Sequence, residues 1–270
     1  MNILGYPFFQ NALAGTTIIS VVSAILGTYI VTRRQVFVTG GITHACFGGL
    51  GLGYWLGVSP MWMAALFAVA GSLGIEGMSH SPRIRRDTAI AVIWALGMSL
   101  GILFVFLSSG FVPDLNSFLF GNVLTITRAD LLLFTIYTAV TAVFFYLFKD
   151  IILAVSFDEA FARTRHLPVS FVNISMTILV SLGIVLCIRM VGIMLLMSLI
   201  SLPQITAENH NTRYMPIMWW SMATALVGCI GGLFAATWLE VPASATIVLL
   251  LVAIYLISRL FNHPFRLSRP

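Results

Sequence analysis

Three side chains in this sequence stand apart from their apolar surroundings: His44, set in a glycine-rich run, and Gln204 and Glu208, four residues apart just after Pro203. An imidazole nitrogen with amide and carboxylate oxygens is a donor set for borderline divalent metal ions. An ionisable group inside an apolar segment is costly in lipid, so such groups usually face a polar cavity or a partner. Residues four apart share a helix face, and Pro203 frees a backbone carbonyl beside them. At about 1.5 Å per residue, His44 lies roughly 12 Å inside its segment, and counting from the far end places Gln204 at a similar depth. Two readings of Glu208 stay open: a ligand on a cation path, or an interfacial carboxylate beside Asn209 and His210.

A second pattern, Gly97-Met98-Ser99-Leu100-Gly101, has the G-x-S-x-G form of serine hydrolases. That chemistry needs a strand-turn-helix elbow, whereas here the motif falls mid-segment, so packing glycines around a helix serine are the simpler reading. Cys46, Cys187 and Cys229 sit in apolar segments without C-x-x-C spacing and read as packed reduced thiols. No glycine-rich loop ends in Gly-Lys-Ser or Gly-Lys-Thr. Any driven process therefore takes its energy from another polypeptide or from an ion gradient.

The elements that must position these groups are membrane helices. Of 270 residues, 59% are hydrophobic and 9% charged, far from the roughly 25% charged of a soluble domain. Runs such as Ala12 to Thr32 and Ala243 to Leu260 have the length of about 20 residues that crosses hydrocarbon as a helix. Hydropathy and breakers predict spans at about 10–32, 36–57, 61–78, 88–108, 129–148, 170–190, 191–208, 214–238 and 243–261, nine in all, or eight if one is re-entrant. The first has no basic leader and reads as a retained helix. The stretch Asp114 to Thr127 reads as a short interfacial or re-entrant insert. The expected fold is an all-α, polytopic bundle forming a single domain over residues 1–270.

Twelve of the fourteen Lys and Arg fall on one side of this alternation, leaving only Arg128 and Arg189 on the other. Positive-inside bias then places the N-terminus outside and the C-terminus inside, and explains the net charge of +5 without nucleic acid. The charged stretch 156–168, with Asp158, Glu159, Arg163, Arg165 and His166 at helical spacing, predicts a short amphipathic helix on the cytoplasmic face. Small residues crowd the second span at Gly40, Gly41, Ala45, Gly48, Gly49, Gly51 and Gly53, which predicts close helix packing.

Several segments, in order over about residues 30 to 250, resemble the permease subunits of ABC transporters for zinc, manganese and iron. Arg33-Arg34 before Gly40-Gly41-Ile42-Thr43-His44-Ala45 is similar to that family's second-helix signature, a basic pair followed by Gly-Asp-Ala-x-Ser-His. Asp87-Thr88-Ala89-Ile90 is similar to the start of its fourth helix, and Ser117-Phe118-Leu119-Phe120-Gly121-Asn122 to its insert. Asp158-Glu159-Ala160-Phe161-Ala162-Arg163 resembles its cytoplasmic coupling helix, and Val191-Gly192-Ile193 with Pro203 its seventh span. Glu240-Val241-Pro242-Ala243-Ser244-Ala245-Thr246 resembles the turn before its last helix.

The resemblance implies a non-enzymatic transport subunit in a bacterial inner membrane, working as a homodimer. It also implies two cytoplasmic ATPase subunits that grip Asp158, Glu159, Phe161, Ala162 and Arg163, and an extracytoplasmic protein that delivers the metal. No cofactor is held permanently; the metal ion is cargo. One departure matters: the family's aspartate falls on Gly40, leaving His44 without its carboxylate. Losing a hard oxygen ligand favours zinc over manganese or iron, and either Gln204 or Glu208 supplies the oxygen instead or the metal is held only loosely. The alternatives are a siderophore or cobalamin permease, a gradient-driven carrier, and an intramembrane protease using Ser99.

Overall fold

The computed structural model describes residues 5–79, 84–108 and 121–262. Arg83 of the Arg83-Arg85-Arg86 cluster, the Asp114 to Phe120 part of the insert and the tail at Arg266 and Arg269 lie outside them. Among the described residues there are nine α-helices and no strand. They are α1 (Pro7–Thr32), α2 (Val36–Leu56), α3 (Pro60–Ser79), α4 (Arg86–Leu107), α5 (Arg128–Phe157), α6 (Glu159–Thr164), α7 (Val169–Glu208), α8 (Tyr214–Leu239) and α9 (Ala243–Asn262). Eight of them, all but α6, are long and apolar enough to cross a membrane. Of the predicted insert, the described part contains one 3₁₀ turn, Val123–Thr125.

The predicted spans six and seven are one 40-residue helical element, α7, broken at Gly192, where φ is 79° and ψ 171°. That conformation is open essentially to glycine alone. The break reverses the chain against α1. Before it, Asn173 meets Arg33, Gly183 faces Leu26 and Met190 faces Gly15, so this limb runs antiparallel to α1. After it, Ile200 and Gln204 lie beside Gly27, so the second limb runs parallel to α1. Eight spanning helices therefore supply nine limbs, as the hydropathy count expects.

α1, α2 and α7 are the enclosed helices of the bundle, while α4 and α9 keep most of their surface outward. The glycines of α2 make its enclosure possible. A side chain at Gly51 would strike the backbone of Gly101, and one at Gly97 would strike Ala45, so α2 and α4 meet backbone to backbone. Gly97 and Gly101 thus spend the G-x-S-x-G motif on packing within a continuous helix, and Ser99 points outward.

The boundary before the amphipathic segment differs from expectation. α5 continues through Phe157, 30 residues or about 45 Å, longer than the roughly 30 Å of hydrocarbon. The predicted helix over 156–168 is therefore the six-residue α6, started by Asp158, whose side chain accepts from the Phe161 amide at 2.9 Å. At the other end of α5, Thr127 and Asp130 form a reciprocal capping box.

Candidate functional site

Among the described residues, Arg33, Arg86 and Arg163 each pair with a carboxylate near helix ends. Arg33 of the α1–α2 turn reaches across to α6 and α7. Its guanidinium donates to Glu159 Oε2 at 2.6 Å, to Asn173 Oδ1 at 2.7 Å, and to the Tyr29 hydroxyl. Glu159 also accepts from Arg163 at 2.8 Å through its other oxygen. The Arg33 side chain is only 10% exposed, so this pair is far better shielded than a surface salt bridge. Burial on its own raises the Glu159 carboxyl, but the Arg163 hydrogen bond, the Arg33 charge and Asn173 together hold it below its ordinary value. Nearby, Arg86 at the start of α4 pairs with Glu76 near the end of α3 at 2.9 Å.

α6 divides into two faces. Ala162 is fully buried and packs with Val155 and Val169 in a small apolar cluster that seats the helix between α5 and α7. Phe161 is 50% exposed, with Arg165 over its ring at 5.3 Å, and Asp158 and Arg163 are also exposed. Of the five residues expected to engage a partner, Asp158, Phe161 and Arg163 form the outward surface. Glu159 and Ala162 hold the helix to the bundle.

His44 lies midway along α2, half-buried against α4. Its ring stacks on Trp94 with centroids 4.1 Å apart and planes at 15°, and its Nδ1 stands 3.3 Å from Met98 Sδ. The place of the family's aspartate, Gly40, faces Trp94 and Met197.

Gln204 does not share this setting. It is fully buried, and its amide nitrogen donates to the Ser23 carbonyl of α1 at 2.7 Å. From the contact between Gly40 and Met197, His44 lies about 6 Å along α2 one way and Gln204 about 10 Å along α7 the other way. The two therefore do not reach the common depth expected from counting; α7 turns at Gly192 and its second limb packs on α1. Glu208 ends that limb, half-buried, with Arg34 among its charged neighbours. Among the described residues no three His, Cys, Asp or Glu side chains come close enough to hold a metal ion together.

Two features escaped the sequence reading. Arg33 marked topology there, but in the fold it is the link between α6 and the α1–α2 turn; its separation of 126 residues from Glu159 hides that pairing. Met98 was passed over inside the G-x-S-x-G pattern. Its position beside His44 depends on the α2–α4 register, which Gly97 and Gly101 set.

Residues 5–262 match the model of the ABC 3 transport family. A probable metal transport system membrane protein of Chlamydia pneumoniae is 32% identical over 270 residues, covering 98% of this chain and 91% of that protein. The manganese transport system membrane protein MntC of Listeria monocytogenes is 28% identical over 260 residues, covering 96% of this chain and 92% of its own. The solved structure of PsaBC from Streptococcus pneumoniae in complex with Fab superposes with a TM-score of 0.83 at 26% identity, covering 95% of this chain and 92% of that one. With the second-helix, coupling-helix and last-turn motifs in order on a multi-pass helical bundle, the chain belongs to the ABC 3 transport family, the membrane permeases of ABC-type metal-ion importers.

Proposed function

We infer that this chain is the membrane subunit of an ATP-driven importer of divalent metal ions, with zinc as its cargo in preference to manganese or iron. It acts as a homodimer in a bacterial inner membrane, one membrane domain per chain, with its N-terminus outside and C-terminus inside. Two cytoplasmic ATPase subunits drive it, and an extracytoplasmic metal-binding protein loads it.

The observation that carries this reading is the mounting of α6. A short charged helix presents Asp158, Phe161 and Arg163 outward while Arg33, on the turn leading into α2, grips Glu159 from within. A rocking motion delivered to α6 passes through that ion pair to the helix bearing His44, which is what opening and closing a path at His44 requires. His44 is the metal-contacting residue in this reading, and Glu208, on the second limb of α7, is the carboxylate at the basic end of the path. Gln204 serves by fixing that limb against α1. An imidazole without a paired carboxylate suits zinc better than manganese, which prefers oxygen donors. The manganese system named for the Listeria relative marks the competing cargo.

The test is transport by the assembled system. Cells carrying the permease with its ATPase and binding protein should accumulate zinc in preference to manganese, and an ATPase subunit should copurify with the permease. Accumulation that needs no ATPase would instead favour a gradient-driven carrier.

A further inference from the structure

The donors that converge on the His44 face of α2 are nitrogen and thioether sulfur. Nδ1 of His44 stands 3.3 Å from Sδ of Met98. Met197 approaches from α7, with its methyl 3.6 Å from where a Cβ on Gly40 would sit and its sulfur 3.5 Å from the Thr39 hydroxyl. Gly40 and His44 are one helical turn apart, so both thioethers border one strip of α2. Trp94 lies flat against the imidazole and fixes the plane of the ring.

The separation between nitrogen and sulfur is informative. If Nδ1 carries the proton, 3.3 Å is a weak N–H to sulfur hydrogen bond. If the proton is on Nε2, two lone pairs face each other across the gap, and a cation between them turns repulsion into coordination. An ion about 2.0 Å from nitrogen and about 2.3 Å from sulfur subtends roughly 100° at this spacing, near the tetrahedral angle. Thioethers are weak ligands for manganese and ordinary ones for zinc, but good ligands for cuprous ion and its analogue Ag(I).

We propose that His44 and Met98, with Met197 alongside, form a soft-cation site that takes Cu(I) or Ag(I) more tightly than Zn(II), so that a soft ion blocks the passage of zinc. This deepens the transport reading and rests on His44 facing the metal path.

The experiment uses full-length permease in nanodiscs, in a background of Cys46→Ala, Cys187→Ala and Cys229→Ala so that thiols do not compete. It is titrated with silver nitrate in chloride-free buffer, with zinc sulfate, and anaerobically with Cu(I). One Ag(I) per chain should bind, and Met98→Leu should weaken it by about tenfold or more while weakening zinc by clearly less. Met197→Leu should weaken silver in the same direction by less. X-ray absorption of the Cu(I) form should contain both sulfur and nitrogen neighbours. Silver affinity unchanged in Met98→Leu, or a copper spectrum with only nitrogen and oxygen neighbours, would overturn the proposal. Because Met98→Leu conserves volume, its zinc titration also reports that the fold is intact. In proteoliposomes with ATPase subunits, silver should inhibit zinc uptake and Met98→Leu should resist it; equal inhibition of both counts against the site. If wild type takes up no zinc at all, the importer reading fails, and the silver titration still decides the site.

Discussion

Arg33 and Glu159 meet at 2.6 Å across 126 positions of chain, joining the turn that starts α2 to the short helix α6. Three other groups secure the contact: Asn173 and the Tyr29 hydroxyl on the arginine side, and Arg163 on the carboxylate side. Arg33→Ala leaves Glu159 half-buried with only Arg163 and Asn173 as partners. Charge-assisted contacts of this partly shielded kind contribute about 1–2 kcal/mol. Hydrogen exchange across 158–165 should therefore accelerate in Arg33→Ala while exchange in α1 and the first limb of α7 stays slow. Unchanged exchange in α6 would remove the pair from its role.

The same carboxylate sets a pH dependence. Glu159 titrates lower in the folded chain than its ordinary value. A depressed carboxylate stabilises the fold above its unfolded pKa, and that contribution is lost as pH falls through the folded pKa. Attachment of α6 should accordingly be constant from neutral pH down to the ordinary carboxylate range and loosen below it. Glu159→Gln should flatten the profile, as read by hydrogen exchange of α6 across the acid range.

Gly192 gives a backbone prediction. With φ at 79° and ψ at 171°, an alanine there is strained whatever the space around it. Gly192→Ala should cost about 1–3 kcal/mol and lower the melting temperature in detergent, whereas Ser198→Ala, on the exposed side of the same limb, should leave it near wild type. Equal melting of the two variants would mean the limb reverses by some other means.

The outward face of α6 separates docking from folding. Phe161→Ala and Arg163→Ala should leave the melting temperature close to wild type, Arg163→Ala losing only a half-exposed pair with Glu159 worth under about 1 kcal/mol. They should nevertheless reduce copurification of an ATPase subunit and metal-stimulated ATP hydrolysis. Ala162→Leu should do the opposite, disturbing the seat against Val155 and Val169 and so destabilising the chain. Normal ATPase coupling in Phe161→Ala would place the docking surface elsewhere.

Much of this fold was legible because lipid reduces the choices. Apolar runs of spanning length bounded by Arg33-Arg34, Gly57 to Pro60 and Arg213 gave the helices within a few residues. Small residues in α2 announced a packed helix, and alternating basic clusters announced which helix ends lie together. Capping was harder to read: Asp158 stops α5 and starts α6 through one local hydrogen bond, which composition over 156–168 does not locate. The reversal at Gly192 was legible as a boundary but not as a recruitment of the second limb to α1, because that depends on Gly27 leaving room for Gln204. Long-range pairings such as Arg33 with Glu159 and His44 with Met98 follow from packing register and carry no local signature.

The role of His44 in metal passage is read from zinc accumulation in proteoliposomes holding the permease and its ATPase subunits, loaded by the metal-binding protein, with wild type compared against His44→Ala. ATP-dependent accumulation should fall by about tenfold or more in His44→Ala, with the complex intact and Arg33 still paired to Glu159. Accumulation at the wild-type rate in His44→Ala, or no ATP-dependent accumulation in either, would contradict it.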